Sequence, residues 1–174
     1  MRLLIILALA FIANNRYIAS AEDARPNKSV GTFTGDFEFD IGSGLAKVGT
    51  ETVTVKSSFG GRVFVVTDHV KARVFGFPFE MEQVMLWKKT EEGYDVDVMR
   101  TSTFSQKIES QKWKSKIVDE NTLVTMTRGP QGEETRITET FNADGSSVMI
   151  GEVQNEGEWK LKWRSSLDLM KDKD

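Results

Sequence analysis

From Gly31 onward the chain alternates apolar and polar residues with a period of two, and turn residues break the alternation at short intervals. A period of two places successive side chains on opposite faces of an extended strand. In GTFTGDFEF, Phe33, Phe37 and Phe39 share one face, and in ETVTVKS, Val53 and Val55 oppose threonines. Gly60-Gly61 accepts positive φ without steric penalty and reads as a tight reversal into a strand over Arg62 to Val74. Gly76-Phe77-Pro78 marks a bend, placing the proline at a strand edge or corner where no ladder donor is needed. FEMEQVMLWKK then carries Phe79, Met81, Met85 and Trp87 against Glu80, Glu82 and Lys88, and YDVDVMRTSTF sets Tyr94, Val96 and Val98 against Asp95 and Asp97. SQKIESQKWKSKIV, NTLVTMTRG, EETRITETF, SSVMIGEV and EWKLKWRSSLDL complete the series, separated by glycine, asparagine and aspartate turns.

About ten strands joined by short turns imply antiparallel neighbours, because parallel winding needs long crossovers. A meander exposes two unpaired edges unless it closes on itself. The expected fold is therefore all-β, an up-and-down antiparallel barrel of about ten strands, with a two-sheet sandwich as the alternative. Closure turns Phe33, Phe37, Met81, Met85, Trp87 and Trp163 inward, and a one-residue register slip would reverse all of them.

The N-terminus has a different pattern. Arg2 precedes an apolar run from Leu3 to Ala13, and Ala19-Ser20-Ala21 offers small residues at a cleavage position. The run is about half the ~20 residues that span a bilayer as a helix, so residues 1–21 read as a secretory signal peptide rather than an anchor. No cysteine follows the run, which excludes a lipidated lipoprotein. Removing 21 of 174 residues leaves 153: a polar leader over 22–30 and one barrel domain over 31–174. The protein is thus expected to be secreted or periplasmic, with no membrane insertion after signal cleavage. A chain this size needs no disulfide or metal staple, and the absence of cysteine also removes thiol chemistry. The formal net charge is −3, becoming −5 once Arg2 and Arg16 leave with the signal, which argues against nucleic acid as a partner. Oligomeric state is not legible.

Three short motifs carry a resemblance: Gly31-Thr32-Phe33-Thr34-Gly35, Gly60-Gly61-Arg62-Val63-Phe64 and Gly76-Phe77-Pro78-Phe79-Glu80. In order and spacing they resemble the calycin group, which includes the lipocalins and fatty-acid-binding proteins. More narrowly they resemble a bacterial exported family called domain of unknown function fifteen-seventy-nine. The resemblance implies a lipocalin-like barrel that binds a small lipophilic ligand. Phe33 stands where calycins have a tryptophan, and the resemblance implies that Arg164 lies across it to close the barrel floor.

Candidate chemistry is sparse. His69 is the single histidine, and only Asp68 stands beside it in sequence, on the opposite strand face. That is too few ligands for a metal site, and the late-chain histidine of haem-binding barrels has no counterpart, so no metal or other cofactor is expected. A surface or hydrogen-bonded role is expected for His69. No Gly-x-Ser-x-Gly elbow accompanies the serines, and no catalytic constellation emerges. The pairs Asp95/Asp97 and Glu80/Glu82 read as wet strand faces. Alternation also puts Trp159, Leu161 and Trp163 on one face of the last strand and Lys160, Lys162 and Arg164 on the other. The remaining candidate is the interior. Phe33, Phe37, Phe79, Met81, Met85, Trp87, Tyr94, Arg100 and Trp163 form the expected ligand-binding set, with Gln83 in register. Arg100 is a candidate anchor for an acidic head group, the alternatives being that Gln83 or an acidic side chain satisfies it or that its head snorkels to water at the strand end. Two alternatives stand beside the ligand-binding barrel. One is a solid barrel acting through its rim as a structural or protein-interaction module. The other is an enzyme using an inward carboxyl of raised pKa.

Overall fold

A computed structural model describes residues 30–105, 107–129 and 132–170. The signal peptide expected over 1–21 and most of the leader expected over 22–30 lie outside these residues. Ten strands follow one another: β1 (Gly31–Asp40), β2 (Leu45–Ser58), β3 (Val63–Val74), β4 (Phe77–Lys89), β5 (Gly93–Ser102), β6 (Glu109–Asp119), β7 (Thr122–Arg128), β8 (Glu134–Phe141), β9 (Ser147–Asn155) and β10 (Glu158–Leu169). Each pairs antiparallel with its sequence neighbours, and β1 pairs β10 from Phe33↔Leu169 to Phe39↔Trp163, closing the ring. The fold is a closed ten-stranded up-and-down antiparallel barrel, as the alternation and turn spacing require.

One end is packed solid. The odd-numbered strands begin there, so Phe33, Phe64, Tyr94 and Leu123 arrive together and meet Val53, Val96 and Leu167. The Tyr94 ring takes edge contacts from Phe64 at 6.2 Å and from Trp87 at 5.6 Å. The opposite end carries the β1–β2, β3–β4, β5–β6, β7–β8 and β9–β10 connections and forms a mouth.

Three local expectations are corrected. Arg164 does not cover Phe33; it bonds Glu38 across the β1–β10 pair, while Phe33 packs between Val53 and Leu169. The β3–β4 turn is Phe75-Gly76, both at positive φ (50° and 82°), rather than Gly76-Phe77-Pro78. Phe75 and Phe77 are exposed at the mouth, and only Phe79 of that aromatic group turns inward, stacked on Phe104 at 5.6 Å. Pro78 pairs Arg73 on one side, and β5 joins β4 only from Met81, so its missing N–H breaks no ladder bond. Finally, a bulge between Leu161 and Trp163 splits β10 into two phases. Lys160 and Lys162 face the interior before the bulge, and Trp163, Ser165 and Leu167 face it afterwards. Trp159 therefore lies outside, under the Arg136 guanidinium at 4.5 Å, and Leu161 is exposed.

Candidate functional site

Above the packed end the barrel is hollow. Ten strands enclose a wider bore than the eight whose side chains just fill it, and a cavity of about 810 Å³ runs up to the mouth. Phe37, Phe79, Met81, Met85, Trp87 and Trp163 all line it, as expected from their strand faces, and so does Arg100. Phe33 and Tyr94 do not reach it; they are buried in the packed end beneath. Trp163 gains its position from a glycine across the ladder. A Cβ on Gly151 would lie 2.0 Å from the indole, so the ring rests directly on the β9 backbone.

Arg100 reaches the interior, but its charge is already met. Its Nε donates to Glu109 Oε2 at 2.8 Å, and that hydrogen bond holds the Glu109 carboxyl below the usual range. Gln83, opposite Arg100 in the ladder, instead donates to Asp68 Oδ2 at 2.5 Å.

At mid-depth three carboxyls face into the cavity: Glu51 from β2, Asp68 from β3 and Glu139 from β8. Each continues an apolar face, Glu51 that of Val53 and Val55, Asp68 that of Phe64, Val66 and Val70, and Glu139 that of Ile137 and Phe141. Glu51 is 3% and Asp68 5% exposed. The Ser165 hydroxyl donates to Glu51 Oε2, and the Ser147 hydroxyl bonds Glu139. Burial pushes all three carboxyls up, since a charge in an apolar enclosure loses its hydration. Glu51 rises well above the ordinary value, by burial first and the Asp68 charge second. Glu139 rises to about 7, by burial and the same Asp68 charge. Glu51 and Asp68 also interact carboxyl to carboxyl, so the two titrate as a pair that burial holds toward the protonated form. Asp68 Oδ1 is left without a hydrogen-bond partner, as is Trp87 Nε1, which lies on the same cavity wall. Such a set can accept a cation or several N–H donors, and it can exchange a proton near neutral pH.

His69 lies on the outer surface, hydrogen-bonded as expected, with Nε2 2.8 Å from Glu80 Oε1. The cross-strand register supplies neighbours that its sequence position conceals. Glu82 Oε1 is 3.9 Å away, so His69, Glu80 and Glu82 bring three potential ligand atoms within 4.8 Å of one another. Lys71 Nζ already stands 3.4 Å from Glu80 and supplies the positive charge there. Glu80, Glu82, Asp95 and Asp97 occupy wet faces.

Compared with known proteins, the chain matches no family model and no curated protein.

Proposed function

We propose that the protein is an exported, lipocalin-like barrel that binds a small lipophilic ligand. The observation that carries this reading is the cavity of about 810 Å³, walled largely by aromatic, methionine and aliphatic side chains. Small-molecule sites are typically ~300–1,000 Å³, mostly apolar, with a few placed polar groups. A protein with no ligand to hold gains more from filling such a space, because each unfilled volume forfeits dispersion contacts. A hollow interior therefore favours a binder over the solid barrel acting through its rim. Export rests on the N-terminal apolar run and its small-residue boundary. Kinship with the calycins, and with the exported bacterial family, rests on the three glycine-containing motifs.

Native mass spectrometry of protein purified from its own host tests this reading. It predicts a population carrying one added mass of a few hundred daltons, released by organic solvent. Uniformly unliganded protein that also fails to take up apolar dyes would contradict it.

A further inference from the structure

Resting on that reading, we propose that the ligand is a cationic amphiphile, an aliphatic amine whose ammonium group seats at mid-depth against Asp68, Glu51 and Glu139.

The argument begins with what faces the three carboxyls. They arrive from β2, β3 and β8, with Gln83 of β4, Ser147 of β9 and Ser165 of β10 completing the ring of polar contacts. None of these partners is a cation. The charge of His69 is felt by Asp68 but from the outer face of β3. The cationic residues that line the cavity, Arg100, Arg128, Lys160 and Lys162, stand on the mouth half of their strands. Two of them are engaged, Arg100 by Glu109 and Lys162 by Asp40 at 3.4 Å. Asp68, only 5% exposed, lines the space, and its Oδ1 is buried there without a hydrogen-bond donor. A buried acceptor without a donor keeps an uncompensated desolvation penalty, larger when charged, and a ligand donor placed there recovers it.

The kind of donor follows from spacing and surroundings. Among the described residues only the surface group around His69 brings three potential metal ligands within 4.8 Å of one another. The interior carboxyls are spread more widely than a bare metal ion would require. An ammonium carries up to three N–H donors in different directions and suits carboxyls that approach from opposite walls. Above it, Phe37, Phe79, Met81 and Phe104 offer an apolar channel to the mouth for a hydrocarbon portion. A fatty acid would have to enter the other way round, its carboxylate kept at Arg100 and Lys162 and its tail laid over the carboxyls.

Seating the ammonium favours ionised carboxyls, so each binding event releases to solvent a proton held by Glu51 or Glu139. Affinity for an amine should therefore rise with pH through neutrality, while affinity for an uncharged ligand should not.

Three twelve-carbon probes test the proposal: dodecylamine, dodecanol and dodecanoate, each displacing the apolar dye N-phenyl-1-naphthylamine from the full mature protein. Dodecylamine should displace it at concentrations lower by about tenfold or more than the other two. That advantage should shrink toward parity with dodecanol in Asp68→Asn and in Glu139→Gln, two variants that keep side-chain volume. In wild type it should also shrink from pH 8 to pH 5.5, with dodecanol unchanged. Dodecanol or dodecanoate binding as tightly as dodecylamine would overturn the inference and leave the binding barrel standing. So would an amine preference that survives both variants. Failure of the dye and of all three probes to bind would overturn the binding barrel itself, and this inference with it.

Discussion

Asp68 on β3 and Glu139 on β8 oppose each other across the bore, five strands apart in either direction around the ring of ten. The charge of Asp68 helps raise Glu139 to about 7, after burial, the larger cause. Two acids on opposite walls of an apolar enclosure are a standing electrostatic penalty on the folded state, and that penalty depends on pH.

The sign follows from proton binding. A carboxyl whose folded pKa is raised binds its proton more tightly folded than unfolded, so stability is greatest below the unfolded pKa. It is lost as pH rises through the folded one. For Glu139 the window runs from its ordinary value of 4.5 to about 7. The surface carboxyls held low by partners, such as Glu80, Asp97 and Glu109, act in the opposite sense and at lower pH. Unfolding free energy should therefore fall between pH 5 and pH 8. In Glu139→Gln the fall should be smaller by about 1–3 kcal/mol, the scale of one to two pKa units. Urea denaturation of both proteins at the two pH values measures it, and identical slopes would refute the assignment.

Glu51, Asp68 and Glu139 also show what the sequence offered and what escaped it. Strand number, closure and the inward set Phe37, Met81, Met85 and Trp87 were legible because period-two alternation is uninterrupted there. The three acids were equally in phase with their apolar neighbours, and a carboxylate in the middle of an inward face was the available signal. That signal is weak because acids in strands are usually solvated, as Asp95 and Asp97 are and these three are not. The β10 bulge is different. Nothing in EWKLKWRSSLDL marks where the phase changes, because Trp and Lys alternate smoothly through it. The Glu109 partner of Arg100 was likewise hidden, since ladder register across β5 and β6 fixes it.

The Tyr94 hydroxyl is buried with no hydrogen-bond partner. Deleting an unsatisfied buried hydroxyl removes a desolvation penalty and leaves the ring contacts with Phe64 and Trp87 in place. Tyr94→Phe should therefore be neutral or stabilising by up to about 1 kcal/mol in urea denaturation. Destabilisation beyond about 1 kcal/mol would show that the hydroxyl makes a favourable interaction.

Trp163 and Gly151 are matched across β9 and β10. Gly151→Ala drives a methyl into the indole and should destabilise by about 1–3 kcal/mol, as overpacking does. Shortening the indole should relieve the clash. A double-mutant cycle with Trp163→Leu measures this, with the loss from Gly151→Ala expected to shrink in the Leu background. Additive losses would mean the two sites do not touch.

His69→Ala should leave folding within about 0.5 kcal/mol of wild type, because exposed ion pairs contribute little. Thermal unfolding of the two proteins checks it, and a loss well beyond that range would give the outer cluster a structural role.

The central claim is that the interior is an accessible binding cavity, and the cavity's own tryptophans can report on it. Of four tryptophans, Trp87, Trp113 and Trp163 line the cavity, and Trp159 sits outside against Arg136. N-phenyl-1-naphthylamine absorbs where tryptophan emits, so a dye inside the barrel accepts their excitation energy. Titrating the dye into the protein should give saturable fluorescence enhancement at one dye per chain, with tryptophan emission falling in step. Enhancement that never saturates, or that saturates with tryptophan emission unchanged, would contradict the account.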